Sequence, residues 1–211
     1  MAFCQDLAET RGATKASHDM EHVRRVVALA RHISRVEGAD EALVACAAWL
    51  HDIERAAEDA GGGDHAVAGA RIAREALSRS ALFEPGHVDI VVDAIACHRF
   101  RSGTVPGTDV ARCLFDADKL DALGAVGVGR AYMMAGEHGQ LLHSTVDAGT
   151  QARHVNEIDH SRYSPVEEYT VKLRHLADRM TTGEGRRLAR RRSEFMAAFF
   201  EELEEEVRGA R

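Results

Sequence analysis

From Leu43 to Leu50 the chain reads Leu-Val-Ala-Cys-Ala-Ala-Trp-Leu, an apolar run with neither Gly nor Pro. It is too apolar for a loop and reads as a buried helix, with Asp40 as its N-cap. A helix apolar on every face has to sit among neighbours, so the rest of the chain must surround it. His51 and Asp52 follow at its end, before Ile53. Adjacent helical residues point about 100° apart, so the pair can grip one ion from neighbouring angles. Burying a neutral imidazole beside a carboxylate is costly unless something pairs with both, and a divalent cation does so. An ordinary helix end can also carry His and Asp. Everything then depends on whether other stretches supply further ligands.

The remaining periodicities are helical. Residues 1–16 read as a short helix and a turn at Gly12. Ser17, His18 and Asp19 offer N-caps for a second helix, striped by Val23, Val26, Val27, Ala30 and Ile33 and ending near Gly38. The third starts at Asp40 and is expected to run through His51-Asp52 toward Asp59. Gly61-Gly62-Gly63 breaks the chain. Asp64 caps a helix with Val67, Ala70, Ile72, Ala73 and Leu77 inward, and Pro85-Gly86 starts one with Val88, Val91, Val92 and Ile95 inward. Residues 101–108 form a loop, and one helix is expected over about 109–134. The segment 136–163 reads as a mobile excursion. Helices over about 165–181 and 184–207 close the chain, separated by Thr181-Thr182-Gly183. The acidic run Glu201 to Glu206 reads as a solvated face, paired with Arg186-Arg187 and Arg190-Arg191-Arg192. Aromatics make up only 5 % of the residues and Pro is rare, which favours helices. The expectation is a single all-α domain, a helical bundle spanning residues 1–211.

Net charge −7 argues against a nucleic-acid backbone as partner. Small anions remain open if positive charge is gathered locally. No apolar run approaches a membrane span, and the N-terminus has no basic-then-apolar signal, so no membrane partner is expected. Cys4, Cys46, Cys97 and Cys113 form no CxxC motif, which points to a reducing, cytoplasmic setting. Twelve histidines is the one compositional hint of a metal.

Four stretches carry chemistry. In His18-Asp19-Met20-Glu21-His22-Val23-Arg24-Arg25, His18 and His22 share a helix face, with Asp19 and Arg25 nearby. His22 is the candidate ligand, and His18 or Asp19 can orient it by hydrogen bonding; His18 can equally be a cap. The second stretch is His51-Asp52, with Glu54 and Arg55 one turn on from His51. In the third, Asp116-Ala117-Asp118-Lys119-Leu120-Asp121, three carboxylates and a Lys interrupt an otherwise apolar helix. They ask for a cation or a network. The fourth is a pair of lone histidines, His65 and His98, either of which alone can be an ordinary interior residue.

The order His22, His51-Asp52, Asp118 resembles the HD-domain metal-dependent phosphohydrolase superfamily. The context narrows the likeness to its small bacterial YedJ/YpgQ-like subgroup. The residues that carry it are His-Asp-x-x-His-x-x-Arg-Val at 18–26, Leu-His-Asp-Ile at 50–53, His65 before a small-residue helix, Ala-Ile-x-x-His-Arg-Phe at 94–100, and Asp-Ala-Asp-Lys-Leu-Asp-Ala-Leu-Gly-Ala at 116–125. Lys172-Leu173 and the region Arg192 to Phe200 extend it, so it covers about residues 15–200. The resemblance implies an α-helical bundle holding a divalent metal on His22, His51, Asp52 and Asp118. Asp118 is the Asp of its Ala-Asp-x-Leu segment, leaving Asp116 and Asp121 as supporting or structural groups. It also implies hydrolysis of a small phosphorylated substrate, a nucleotide first, with nucleoside triphosphate pyrophosphohydrolysis as the candidate reaction.

Two His and two Asp form a nitrogen–oxygen site without thiolate. It suits Mn²⁺, Fe²⁺, Co²⁺ or Ni²⁺, with Mg²⁺ disfavoured by the histidines. Water on the metal would attack phosphorus, with Asp52 or Glu54 taking the proton. Arg25, Arg55, Lys119 and Lys172 are candidate phosphate donors, with Arg99 and Arg101 beside His98; His65 and His98 can join them. The competing reading is a two-metal HD protein, a phosphodiesterase or a di-iron oxygenase, with His65 and His98 holding a second ion. A third is a non-catalytic sensor or scaffold that keeps a metal for stability.

Overall fold

The computed structural model describes residues 2–11, 20–99, 105–146 and 164–210. Expectations for Gly12, His18, Asp19, Arg101 and residues 147–163 therefore lie outside the described residues. The elements are α1 (Ala2–Arg11), α2 (Met20–Glu37), α3 (Glu41–Leu50), α4 (Arg55–Asp59), α5 (His65–Ser78), α6 (Pro85–Cys97), α7 (Asp109–Leu120), α8 (Gly124–Glu137), α9 (Pro165–Val171) and α10 (Gly183–Val207). Two 3₁₀ turns, Leu173–His175 and Ala177–Arg179, lie between α9 and α10. Among the described residues there is no strand, so the protein is all-α.

The chain divides into two compact units, residues 1–118 with 181–185, and residues 119–180 with 186–211. In the first, α2 and α6 pack on α3, α5 packs on α6, and α1 lies on α3. Every residue of the run Leu43–Leu50 is buried, so the apolar-all-round pattern is the pattern of a central helix. Asp40 caps it, its Oδ1 accepting from the amides of Ala42 at 2.9 Å and Leu43 at 3.0 Å. Asp64 caps α5 in the same way, accepting from Ala66 N. The stripe of α2 is buried at Val23, Val26, Val27, Ala30 and Ile33. On α5, Ala70, Ala73 and Leu77 turn inward, but Val67 is 66 % exposed and Ala66 and Gly69 take the inward places instead.

Three boundaries differ from the sequence reading. The helix of the apolar run does not continue through His51-Asp52: it stops at Leu50, and a short turn precedes α4. Bonds spanning three residues, Ile53 N to Leu50 O and Arg55 N to Asp52 O, replace the helical ladder there. The helix expected over 109–134 is two helices, because Gly124 takes φ +74° at the junction. A Cβ on Gly124 would meet the Arg192 side chain at 3.0 Å. The helix expected over 165–181 ends at Val171 and gives way to the 3₁₀ turns.

The second unit carries its own ties. Tyr169 stacks on Phe200 with ring centroids 4.3 Å apart, and Arg130 Nη1 donates to Asp121 Oδ2 at 2.9 Å. Arg192 is not part of a solvated arginine face; its guanidinium donates to the Leu120 carbonyl.

Candidate metal centre

Because α3 stops at Leu50, His51 becomes its C-cap and its ring folds back on the last turn. Its Nδ1–H donates to the Ala48 carbonyl at 2.8 Å. That bond fixes the tautomer and leaves a lone pair on Nε2, in a side chain with no solvent exposure. This lone pair faces other acceptors. His22, on the buried face of α2, brings its Nε2 to 3.4 Å. Asp52 Oδ2 lies 3.6 Å from both His22 Nε2 and His51 Nε2. From α7, Asp118 Oδ1 lies 3.6 Å from His22 Nε2 and 3.9 Å from His51 Nε2.

A second group shares Asp52. Its other oxygen, Oδ1, is 3.1 Å from His65 Nε2 and 3.7 Å from His98 Nε2. These two ring nitrogens are 3.2 Å apart. His98 is the C-cap of α6 and repeats the device of His51: its Nδ1–H donates to Ile95 O at 2.6 Å. His65 opens α5, and Glu58 Oε2 accepts both its ring Nδ1–H and, at 2.9 Å, its backbone N–H. Arg99 closes this corner, donating to Glu58 Oε1 at 3.0 Å and to Asp64 Oδ2 at 2.7 Å.

The titration behaviour follows. Burial lowers His51 to about 4, against the opposing pull of Asp52 and Asp118. Burial alone would raise Asp52, but His51 and the neighbouring His22, His65 and His98 outweigh it and hold the carboxylate well below its usual range. Burial would lower His65, yet Asp52 and Glu58 raise it. The centre gathers carboxylate oxygens and imidazole Nε2 nitrogens, with Nδ1 of His51, His65 and His98 each engaged away from it. Among the described residues three sets could hold a metal ion: His22 with His51 and Asp118, Asp52 with His65 and His98, and the more exposed Glu58 with Asp64 and His65; within each set the donor atoms lie within 4.8 Å of one another. Their chemistry fits a divalent cation, which satisfies facing acceptors that cannot satisfy each other.

The other sequence candidates separate. Glu54 is the N-cap residue of α4 and accepts from Arg11 Nη1 at 3.0 Å. Arg55 forms an ion pair with Asp59, Nε to Oδ1 3.4 Å, and Arg25 is half-buried on α2. Lys119, Asp121 and Lys172 belong to the second unit, where Asp121 holds Arg130 and Lys172 donates to Glu168 Oε1 at 3.0 Å. Asp116 is structural: fully buried, it accepts from the amides and hydroxyls of Thr181 and Thr182. A Cβ on Gly185 would collide with this carboxylate, so glycine is required there.

Glu58 escaped the sequence reading. It precedes His65 by seven residues across the triple-glycine break, and no helical or strand period relates positions on two sides of a chain reversal.

The HD domain family model matches residues 19–123. The Bacillus subtilis protein YpgQ is 32 % identical over 202 residues, covering 92 % of this chain and 86 % of its own. A solved structure of YpgQ in complex with ADP superimposes with a TM-score of 0.72 at 27 % identity, covering 97 % of each chain. A Lactobacillus plantarum protein gives a TM-score of 0.79 at 25 % identity, covering 99 % of this chain and 96 % of that one. An HD-superfamily hydrolase from Bacillus thuringiensis gives 0.70 at 25 % identity, covering 98 % and 94 %. The buried His-Asp pair, the histidine before it and the aspartate after it thus stand in a chain that belongs to the HD-domain family.

Proposed function

We propose that the protein is a metal-dependent phosphohydrolase acting on a nucleotide or a related phosphate ester. Nucleoside triphosphates, cleaved with release of pyrophosphate, are its first candidate substrates. The observation that carries this reading is the convergence of His22 Nε2, His51 Nε2, Asp52 Oδ2 and Asp118 Oδ1. The ADP bound to the related YpgQ supports the nucleotide class.

In this reading His22, His51, Asp52 and Asp118 hold Mn²⁺, Fe²⁺, Co²⁺ or Ni²⁺, the ions suited to mixed nitrogen and oxygen donors. When bound, such an ion supplies an acidified water and polarises a phosphoryl oxygen. The protein's own groups do the rest. The carbonyls of Ala48 and Ile95 fix the ring faces of His51 and His98, so no rotation is needed when the donors are used. Asp52 or Glu54 takes the proton of the attacking water in this reading. Arg25 and Arg55 are the phosphate donors of the first unit.

A second reading rests on one observation: Asp52 turns Oδ2 to His22 and His51 but Oδ1 to His65 and His98. A carboxylate shared in this way can bridge two ions. The test is elemental analysis of the purified protein, paired with phosphate and pyrophosphate release from a nucleotide panel with added Mn²⁺. About one ion per chain with pyrophosphate release supports the hydrolase. About two ions, iron in particular, without phosphate release would replace it with an oxygenase.

A further inference from the structure

His65 is a chemically ambiguous donor until its ring proton is placed. An imidazole can carry one proton on either nitrogen, and only the unprotonated nitrogen offers a lone pair. For His51 and His98 a backbone carbonyl settles the choice. For His65 no carbonyl takes that role; a side chain does. Glu58 Oε2 accepts the Nδ1–H and the backbone amide of the same residue, while Glu58 Oε1 is held by Arg99, which is itself anchored on Asp64. The carboxylate is thus fixed on both oxygens, and the ring it holds presents Nε2 to Asp52 Oδ1 and His98 Nε2.

We propose that Glu58, braced by Arg99, is the positioning residue of the centre. It keeps the His65 ring proton on Nδ1 and so commits Nε2 to the group shared with Asp52 and His98. This rests on the proposed metal-dependent reading only for its effect on rate; the placement of the proton stands by itself. A carboxylate behind a histidine also increases the basicity of the exposed nitrogen, and loss of such a partner costs about 10–100-fold in metal affinity or activity. Glu58 touches no reacting atom and acts entirely through His65. Arg99, earlier a candidate phosphate donor, is assigned here to the support of Glu58.

Glu58 also caps the first amide of α5, so a purely structural role predicts some loss of stability in any Glu58 variant. The discriminating measurement reads the ring itself. Long-range ¹H–¹⁵N spectra of ¹⁵N-histidine-labelled, metal-free protein report which His65 nitrogen carries the proton, with His65→Gln assigning the resonance. Wild type is expected to show protonated Nδ1. Glu58→Gln, which keeps an acceptor oxygen, should retain it, and Glu58→Ala should lose it. Arg99→Ala should weaken it, seen as faster exchange of the Nδ1 proton with solvent. In Mn²⁺-supplemented assays, Glu58→Ala should lower kcat about 10–100-fold with KM little changed, and Glu58→Gln should lie between. A wild-type His65 without a proton on Nδ1, or a Glu58→Ala protein whose His65 signal matches wild type, would overturn the proposal. Inactive wild type with the expected ring signals would instead fault the hydrolase reading and leave the role of Glu58 intact.

Discussion

His65 Nε2 stands 3.1 Å from Asp52 Oδ1, on the side of that carboxylate turned away from His22 and His51. One short side chain therefore serves two histidine pairs that come from four different helices or helix ends. This follows from the early stop of α3. Had the helix run on through Asp52, its carboxylate would have been committed to one helix face; in the turn it sits between both pairs.

The division of Asp52 makes His98 a counting device. His98→Ala is expected to leave about one divalent ion per chain while lowering phosphate release, because the donors His22, His51, Asp52 and Asp118 all remain. Metal stoichiometry by elemental analysis decides it. A fall from two ions to one would assign His98 to a second metal.

His51→Ala and Asp52→Ala should each abolish bound divalent metal and turnover, with helical circular dichroism largely retained. Each removes a buried donor whose neighbours are all acceptors, so the loss falls on ion binding more than on packing. A variant with full turnover would sink the metal-centre proposal.

Asp116 and Asp118 are two residues apart and should fail in opposite ways. Asp116→Ala leaves the buried Thr181 and Thr182 donors unmatched, and should cost about 2–4 kcal/mol of stability. Its remaining folded fraction should bind metal normally. Asp118→Asn should melt close to wild type and lose affinity for the ion. Denaturant titration alongside metal binding separates the two.

Acid should destabilise the metal-free protein through His51. Its native pKa is lowered from 6.5 to about 4 by burial. Between those values the unfolded chain binds a proton that the native state refuses, so stability present above pH 6.5 is lost as pH falls toward 4. The loss is about 3 kcal/mol at most. Urea midpoints of EDTA-treated protein at pH 7.5 and 4.5 test this, and the drop should be smaller in His51→Asn.

Cys97 and Cys113 should be inert in the native state. Burial pushes Cys97 up to about 11 and, with the nearby Glu37, Asp116 and Asp109 carboxylates, Cys113 up to about 12. At pH 8 the thiolate of either is a minute fraction of the total. Iodoacetamide at that pH should label neither residue until the protein is unfolded, as read by mass spectrometry of peptides.

Much of this centre was visible in one dimension. The apolar run predicted the central helix, Asp40 and Asp64 announced their caps, and the resemblance named His22, His51, Asp52 and Asp118, whose side chains lie near one another. These features are local or family-wide. What escaped depends on tertiary company. Nothing in the stretch after Leu50 marks the end of α3, since Ile53 and Ala56 suit a continuing helix. The break at Gly124 rests on a positive φ that one glycine among eighteen does not advertise. Asp116 and Glu58 look like further acidic residues until their partners, distant in sequence or across a reversal, are brought in.

Asp116 has a consequence for the order in which the molecule can be completed. The donors His22 through Asp118 are all synthesised before residue 119, yet α7 is fastened by Thr181 and Thr182, 65 and 66 positions after Asp116. A nascent chain that has just emerged past residue 123 contains the whole stretch matching the family model, but its Asp116 carboxylate still lacks the four donors that make burial tolerable. The candidate ligand Asp118 thus depends for its final seating on a segment the ribosome delivers much later.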